Sequence, residues 1–235
     1  MSDTLVKTVK SQIKKFAHPA IRCLKPAPHL PTKPVSTRWG SDRGTPIDIY
    51  FIDGFLTRFC HHIQGRVLEI KNKRYTKSLG QGVTQGDVLD IDPSNPDANV
   101  IADLAAADSI PDNTYDCFIL TETLQYIYDF KSAVAHCHRI LKPGGVLLVT
   151  VPCISPIDRE LEDTEYWRFT KNSCERLFGE AFKEGQVEIE AHGNYFSCSA
   201  FLAGMALEEV DKKLLQERSP TFVQGVCVRA IKAKS

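Results

Sequence analysis

The sequence has no long apolar run, no excess of charge and no paired cysteines. No stretch of apolar residues approaches the roughly 18 that a membrane-spanning helix needs, and no apolar core of a secretory signal stands near residue 1. The 29 basic and 29 acidic side chains cancel, which argues against a protein that binds nucleic acid by neutralising phosphates. The eight cysteines form no C-x-x-C pair, so we expect reduced thiols, no metal centre and a cytoplasmic protein.

Basic residues are concentrated at the beginning of the chain. Residues 4–16 place apolar side chains on one helical stripe and lysines largely off it. Such a helix could lie on an anionic membrane surface, bind a partner protein, or pack on its own domain. A proline-rich connector follows from Pro26 to Pro34 and cannot be helical. We therefore predict a helix and connector over residues 1–44 and one further domain over residues 45–235.

A helix is predicted to begin near residue 45. Thr45 can cap it, Pro46 fits its first position, and Asp48 completes a pattern similar to a capping box. Thr170 has the same role for a later helix.

From residue 65 the chain alternates short apolar runs with helical periods. The predicted strands lie near residues 66–70, 88–92, 99–102, 116–120 and 146–152. Apolar residues recur at helical spacing from Phe130 to Leu141, ahead of Pro143-Gly144-Gly145. Near the end of the chain, an alternating strand over 186–193 precedes a helix with Leu202, Ala206, Val210 and Leu214 inward, and residues 222–233 form a last strand. This alternation favours an α/β fold with crossover connections between parallel strands.

Polar side chains stand at the predicted carboxyl ends of the strands, the edge at which open α/β sheets bind ligands. Glu69 lies near the end of the first strand and Asp92 at the end of the second. A carboxylate such as Asp92 can accept hydrogen bonds from both hydroxyls of a ribose, although an aspartate before proline is also a turn starter. Asp103 and Leu104 follow the third strand, where they could receive an adenine amino group and cover its ring, and Asp103 is also a helix-cap signal. Thr121 begins the segment after the fourth strand.

The segments VLEI, DIDP, ADLAAADSIPDNTYDCFILTETLQYIYD and RILKPGGVLLVTVP, in this order, resemble the class I S-adenosylmethionine-dependent methyltransferase family, in its glycan and small-molecule branch. The resemblance covers about residues 65–152. RWGSDRGTPID and EYWRFT more loosely resemble methyltransferase-domain proteins found alongside glycosyltransferases. The family implies S-adenosyl-L-methionine as cofactor and a Rossmann-like, mostly parallel seven-stranded sheet with an antiparallel last strand and helices on both faces. Where the family commonly has a histidine, this chain has Gln125 and Tyr126.

The resemblance implies a role for each residue at the strand ends. Glu69 would support the cofactor loop, Asp92 would hold the ribose, and Asp103 and Leu104 would frame the adenine. The segment from Thr121 to Thr123 would face the methionine part and the substrate. The predicted cofactor-binding residues are Glu69, Lys71, Asn72, Tyr75, Asp92, Asp103, Leu104, Thr121 and Glu122.

The glycines that this family usually places after its first strand are missing. Glycine serves there because it permits a positive φ and a close approach of the backbone to the cofactor. This chain has Lys71-Asn72-Lys73-Arg74 instead, and lysine would lose roughly 1 kcal/mol in the left-handed geometry. Two outcomes follow. Either the loop takes an ordinary backbone shape and one of its basic side chains meets the methionine carboxylate, or Lys71 fills the cavity and no cofactor binds.

The acceptor side is predicted from the loops after the fifth and sixth strands. Asp158 and His192 are candidate general bases, and Tyr166 and Trp167 could stack on a sugar ring. Tyr166 completes the predicted catalytic set, and the predicted substrate-binding residues are Arg43, Arg159, Trp167, Arg168 and Asn194.

The leading hypothesis is O-methylation of a carbohydrate or another small hydroxylated metabolite. The alternative is a catalytically inactive, methyltransferase-like scaffold that binds a partner through its basic helix, which the missing glycines favour. A nicotinamide dehydrogenase would need G-x-G-x-x-G at this turn.

Overall fold

The computed structural model describes residues 31–234. The chain divides at Pro34, and the described residues from Val35 onward form one compact unit, the second unit of the chain. The basic helix predicted over residues 4–16 lies outside the described residues, so its role stays a prediction. The predicted connector extends to residue 44, but residues from Val35 onward belong to the second unit: Val35 N–H donates to the Ala203 carbonyl at 2.8 Å, and Trp39 Nε1 donates to Ser155 Oγ at 3.2 Å.

The second unit is built on one seven-stranded sheet. The strands are β1 (Gly65–Ile70), β2 (Val83–Asp90), β3 (Val100–Ile101), β4 (Tyr115–Thr121), β5 (Leu141–Pro152), β6 (Gln186–His192) and β7 (Gly225–Ile231). The helices are α1 (Ile47–Arg58), α2 (Arg74–Leu79), α3 (Phe130–Ile140), α4 (Lys171–Ala181) and α5 (Tyr195–Leu202). The strand order is β3-β2-β1-β4-β5-β7-β6, and β7 runs antiparallel to both of its neighbours. The predicted Rossmann-like fold is confirmed.

Helices cover both faces of the sheet because successive strand residues point to opposite sides. Val67 packs with Leu56 of α1 in one apolar cluster. Its neighbour Leu68 packs with Val134 and Cys137 of α3 in the other. Each of these side chains is fully buried, so the sheet is the middle layer of a three-layer fold.

The beginning of α1 differs from the prediction. The helix starts at Ile47 with Pro46 at the cap position, and no side chain caps it. The Thr45 hydroxyl donates instead to Glu208 at 2.7 Å, so the predicted capping box is wrong. Asp48 therefore does not complete a capping box, and its Oδ1 has no hydrogen-bond partner.

The second strand and the last predicted helix also end sooner than expected. β2 stops at Asp90, whose carboxylate accepts the Asp92 N–H at 3.0 Å and turns the chain. α5 stops at Leu202 because Gly204 has a φ of +73° and lies against the backbone of Ser36, where a Cβ would come within 2.2 Å of an oxygen. The predicted cap of α4 is confirmed, since the Thr170 side chain accepts the N–H of residue 173.

In residues 31–234, no helix is long and apolar enough to cross a membrane.

Candidate active site

A cavity of about 1170 Å³ opens at the carboxyl ends of β1, β2 and β4. The strand order reverses between β1 and β4, which is the point at which open α/β sheets bind ligands. All the predicted cofactor-binding residues line this cavity, together with Asp158 and Tyr166. The cavity also includes Asp48, Asp90 and Asn95, which the sequence did not assign to it.

Glu69 fixes the loop that crosses the end of β1. Its side chain is buried, and its two carboxylate oxygens accept the N–H groups of Tyr75 and Thr76, each at 2.8 Å. These N–H groups belong to the first turn of α2, where a helix has no acceptors of its own and where its dipole favours a negative charge. Glu69 therefore supports the loop from within the fold, in the position that the family resemblance implied.

Lys71 keeps the backbone shape that a glycine would have taken. Its φ is +62°, in the left-handed region, so the expectation of an ordinary backbone shape is wrong. The turn is held by the Lys71 carbonyl, which accepts Asn95 Nδ2 at 2.8 Å, while the same amide nitrogen donates to Asp90 at 2.7 Å. Residue 71 is exposed and the cavity remains open, so the lysine does not occupy the space beneath the loop.

Asp92 and Asp103 each anchor a tight turn at the cavity wall. The Asp92 carboxylate accepts the Ser94 N–H at 2.8 Å, and contacts with Ser94 lower the pKa of Asp92. Asp103 accepts the Ala105 N–H at 2.9 Å and caps a short turn that presents Leu104. Asp103 both caps this turn and lines the cavity, so its predicted roles as a helix cap and as a cofactor-binding residue are compatible.

A smaller cavity of about 210 Å³ adjoins the first. The residues that line both cavities are Asp48, Ile52, Glu122, Tyr126 and Asp158. Gln125, His192 and Gln224 line only the smaller one. The two spaces therefore meet at a wall made of α1, the turn after β4 and the loop after β5.

The smaller cavity contains buried polar atoms without hydrogen-bond partners. They are Asp48 Oδ1, Gln125 Oε1, His192 Nε2, and both amide atoms of Gln224. Gln125, His192 and Gln224 are each between 2% and 6% exposed. An unsatisfied buried polar group costs about 1–3 kcal/mol, so these atoms are suited to hydrogen bonds with a molecule that enters the cavity.

Burial changes the charge state of the side chains around this cavity. It raises the pKa of Glu122 to about 8, with a further contribution from the negative charge of Asp48. Burial likewise raises the pKa of Asp48 to about 6 and, together with nearby Arg218, lowers that of His192 to about 4. At neutral pH His192 is therefore uncharged and Glu122 is mostly protonated. Glu122 also has a φ of +45°, a strained backbone of the kind that persists at functional sites.

Neither cavity is lined by the predicted substrate-binding residues Arg43, Arg159, Trp167, Arg168 and Asn194. Arg43 pairs with Glu209, and Arg168 pairs with Glu165 at 2.7 Å. Asn194 caps α5 by accepting the Ser197 N–H at 2.9 Å. Trp167 donates to the Tyr128 carbonyl at 3.2 Å, and Arg159 is exposed. The structure thus gives four of these side chains partners of their own and does not bring the five together.

The sequence interpretation missed Asp48, Glu165 and Gln224 as cavity residues. Asp48 was assigned to a helix cap. Glu165 is the first residue of the EYWRFT segment, but only the three residues that follow it were selected as candidates. Gln224 lies in a strand-like run near the end of the chain, where no local pattern marks a site. The sequence had one indication of this cavity, which is that Gln125 and Tyr126 stand where the family commonly has a histidine.

Comparison with known proteins agrees with this architecture. Residues 50–201 match the family described as "Methyltransferase domain". The chain therefore belongs to the methyltransferase-domain family, and the predicted class, the S-adenosylmethionine-dependent methyltransferases, is confirmed.

Curated relatives match only part of the chain. The ubiquinone/menaquinone biosynthesis C-methyltransferase UbiE of Escherichia coli O139:H28 (strain E24377A / ETEC) is 40% identical over 111 residues, which are 46% of this chain and 44% of that protein. The same enzyme of Enterobacter sp. (strain 638) is 28% identical over 111 residues, with the same coverage. The chain thus spans less than half the length of these relatives.

Solved structures share the fold at low identity. The YcgJ protein from Bacillus subtilis covers 79% of this chain with 100% of its own, at 12% identity and a TM-score of 0.53. A SAM-dependent methyltransferase from Archaeoglobus fulgidus covers 78% of this chain with 94% of its own, at 13% identity and a TM-score of 0.52.

Proposed function

We propose that the protein methylates a hydroxyl group of a carbohydrate or another small hydroxylated metabolite, with S-adenosylmethionine as the methyl donor. The observation that carries the proposal is the junction of the two cavities. The larger one has the predicted cofactor residues, and the smaller one has buried polar atoms that are suited to an acceptor. Glu122 and Asp158 belong to both walls, so they lie where donor and acceptor would meet.

The residues around the larger cavity fit the cofactor. Its volume of about 1170 Å³ is ample beside the 300–1,000 Å³ of typical ligand sites. An ionised Asp92 would accept hydrogen bonds from the ribose hydroxyls. Leu104 would offer its apolar side chain to the adenine ring, with the Asp103 carboxylate nearby for the amino group.

The Lys71 turn also supports a site that binds cofactor. Its left-handed backbone and exposed side chain leave the cavity open. The missing glycines favoured the inactive scaffold if Lys71 filled the cavity, and the exposed position of Lys71 argues against that outcome. The cost of about 1 kcal/mol for this backbone is small beside the roughly 8 kcal/mol of a micromolar binding equilibrium.

When bound, S-adenosylmethionine supplies an activated methyl group on sulfur, so the protein has to align the acceptor and remove its proton. Glu122 and Asp158 are placed for the second task. A base is most effective when its pKa lies near the working pH; the pKa of Glu122 is about 8, so its ionised form, a minority at neutral pH, would take the proton. Asp158 accepts the Tyr126 hydroxyl at 3.4 Å, which would orient its carboxylate. His192 lies on the smaller cavity alone, so we assign it to contact with the acceptor.

Calorimetric titration with S-adenosylhomocysteine, the demethylated product, tests the cofactor half of the proposal. We expect binding to the unmodified protein and about tenfold weaker binding to Asp92→Asn, equivalent to about 1.4 kcal/mol. Asp97→Asn is the matched control, because Asp97 is exposed in the same connection and does not line the cavity. If the unmodified protein does not bind S-adenosylhomocysteine at millimolar concentration, the proposal is wrong.

A further inference from the structure

The smaller cavity has several acidic side chains and neither lysine nor arginine among its lining residues, and its one histidine, His192, is uncharged at neutral pH because burial lowers its pKa to about 4. Asp48, Glu122, Asp158 and Glu165 contribute carboxyl groups. Glu165 has a cationic partner, Arg168, at 2.7 Å. Among the described residues, no lysine or arginine forms an ion pair with any of the other three carboxyl groups. The carboxyl groups of the cavity wall therefore outnumber its cations even with Glu122 protonated, and an anionic ligand would add to this imbalance.

Three of the five unpartnered atoms in the same cavity are hydrogen-bond acceptors. Asp48 Oδ1, Gln125 Oε1 and Gln224 Oε1 accept, Gln224 Nε2 donates, and His192 Nε2 donates or accepts according to the tautomer of its neutral ring. Gln125 and Gln224 are 3% and 2% exposed, so bulk water does not satisfy them. A ligand that matches this wall must therefore bring more donors than acceptors.

Aromatic rings form part of the remaining wall. Trp39, Phe51, Tyr126 and Phe201 line the cavity. The faces of aromatic rings attract cations through their quadrupoles. Carboxylates, unsatisfied acceptors and aromatic rings all favour the same kind of group, which is a small cation that carries several N–H donors.

We propose that this cavity binds a protonated amine of the methyl acceptor, so that the substrate is a small hydroxylated amine of the amino-sugar or amino-alcohol class. An ammonium group has three donors for the acceptor atoms and one charge for the carboxylates. A phosphorylated or carboxylated substrate would place a second negative charge in the cavity and is disfavoured. The inference rests on the proposed function, since it assigns the smaller cavity to the acceptor.

Proton release on binding would distinguish a ligand that carries an ammonium group from a neutral ligand of the same shape. A cation next to a carboxyl group favours its ionised form, and Glu122 is mostly protonated in the empty cavity because its pKa is about 8. The other groups that act on it are Asp48, Arg168 and Glu165. Binding of an ammonium ion at pH 7 should therefore expel a proton from Glu122, and binding of a neutral sugar should not.

The test compares glucosamine, glucose and glucuronate, which present an ammonium, no charge and a carboxylate on similar rings. Each is titrated into the protein saturated with S-adenosylhomocysteine at pH 7, in two buffers of different ionisation enthalpy. We expect glucosamine to bind at least about tenfold more tightly than glucose, glucuronate to bind least, and only glucosamine to release a proton.

Two variants show whether the carboxyl groups cause the preference. Asp48→Asn should reduce the preference for glucosamine over glucose, and Glu122→Gln should abolish the proton release. Glu180→Gln, an exposed glutamate on α4, should change neither. Circular dichroism and thermal unfolding show whether each variant is folded.

The outcomes separate the two proposals. If S-adenosylhomocysteine binds but glucosamine shows no advantage over glucose, or if none of the three sugars binds, the amine inference is wrong and the cofactor assignment stands. If S-adenosylhomocysteine itself does not bind, the proposed function fails and the inference fails with it.

Discussion

The two cavities of this protein meet at a common wall but are built in different ways. At the β1 end of the larger cavity the polar groups are engaged: Glu69 holds the first turn of α2, and Asn95 connects the Lys71 carbonyl to Asp90. The smaller cavity leaves Asp48, Gln125 and Gln224 with unpartnered atoms. The cofactor side is therefore held in shape by hydrogen bonds within the protein, whereas the polar atoms of the acceptor side find partners only when a ligand binds.

Removing the carboxylate that organises the cofactor side should have the largest effect on stability. Glu69→Gln replaces one of two charged acceptors with an amide nitrogen opposite the N–H groups of α2. Hydrogen bonds to charged groups contribute about 1.5–3 kcal/mol each, so we expect the free energy of unfolding to fall by about 3 kcal/mol. Denaturant unfolding measures the change, and Glu184→Gln, at an exposed position, is the control. A loss no larger than in the control would mean that the loop does not depend on Glu69.

The acceptor side should respond to pH in the opposite sense to most carboxylate sites. The pKa of Glu122 is raised in the fold, to about 8, so the native state holds a proton that the unfolded state has already lost. Stability should therefore fall as pH rises through pH 6.5 to 8, by up to about 1.4 kcal/mol per pH unit.

Below that window other groups act in the reverse direction. His62 and His192 have pKa values lowered to about 4, and their unfolded forms take up protons below pH 6.5. The contribution of Glu122 is therefore measured as the difference between the unmodified protein and Glu122→Gln in unfolding curves between pH 6.5 and 8. Glu122→Gln should flatten the pH dependence there, and an unchanged slope in this variant would assign it to another group.

The smallest effect should come from the residue that replaces the glycine. Lys71→Gly removes the left-handed strain, worth about 1 kcal/mol, but makes the unfolded chain more flexible by a similar amount. We expect the free energy of unfolding to change by less than about 0.5 kcal/mol. The same substitution at the exposed helical position Lys77 should cost about 1 kcal/mol. Equal losses at both positions would show that residue 71 carries no strain.

The sequence predicted the cofactor side better than the acceptor side for a physical reason. Residues at the carboxyl ends of successive parallel strands meet at one edge whatever their detailed packing, so Glu69, Asp92 and Asp103 could be grouped from strand order alone. Asp48 and Gln224 come from α1 and from the turn before the antiparallel β7. Their meeting depends on how that helix and strand pack, which no local pattern encodes.

The backbone at Lys71 also could not be read from the residues that form it. Its left-handed shape is held by Asn95, more than twenty residues away along the chain. Local propensity correctly described the strain but could not name the contact that offsets it.

The amide of Asn95 has a consequence for how such turns are found in other chains. In this chain the Asn95 side chain, from the connection after β2, holds the turn at Lys71. The turn then keeps its left-handed shape without glycine. A search for this cofactor turn by its glycines overlooks such chains. A search for a buried glutamate that ends the first strand, paired with an asparagine shortly after the second, would retain them.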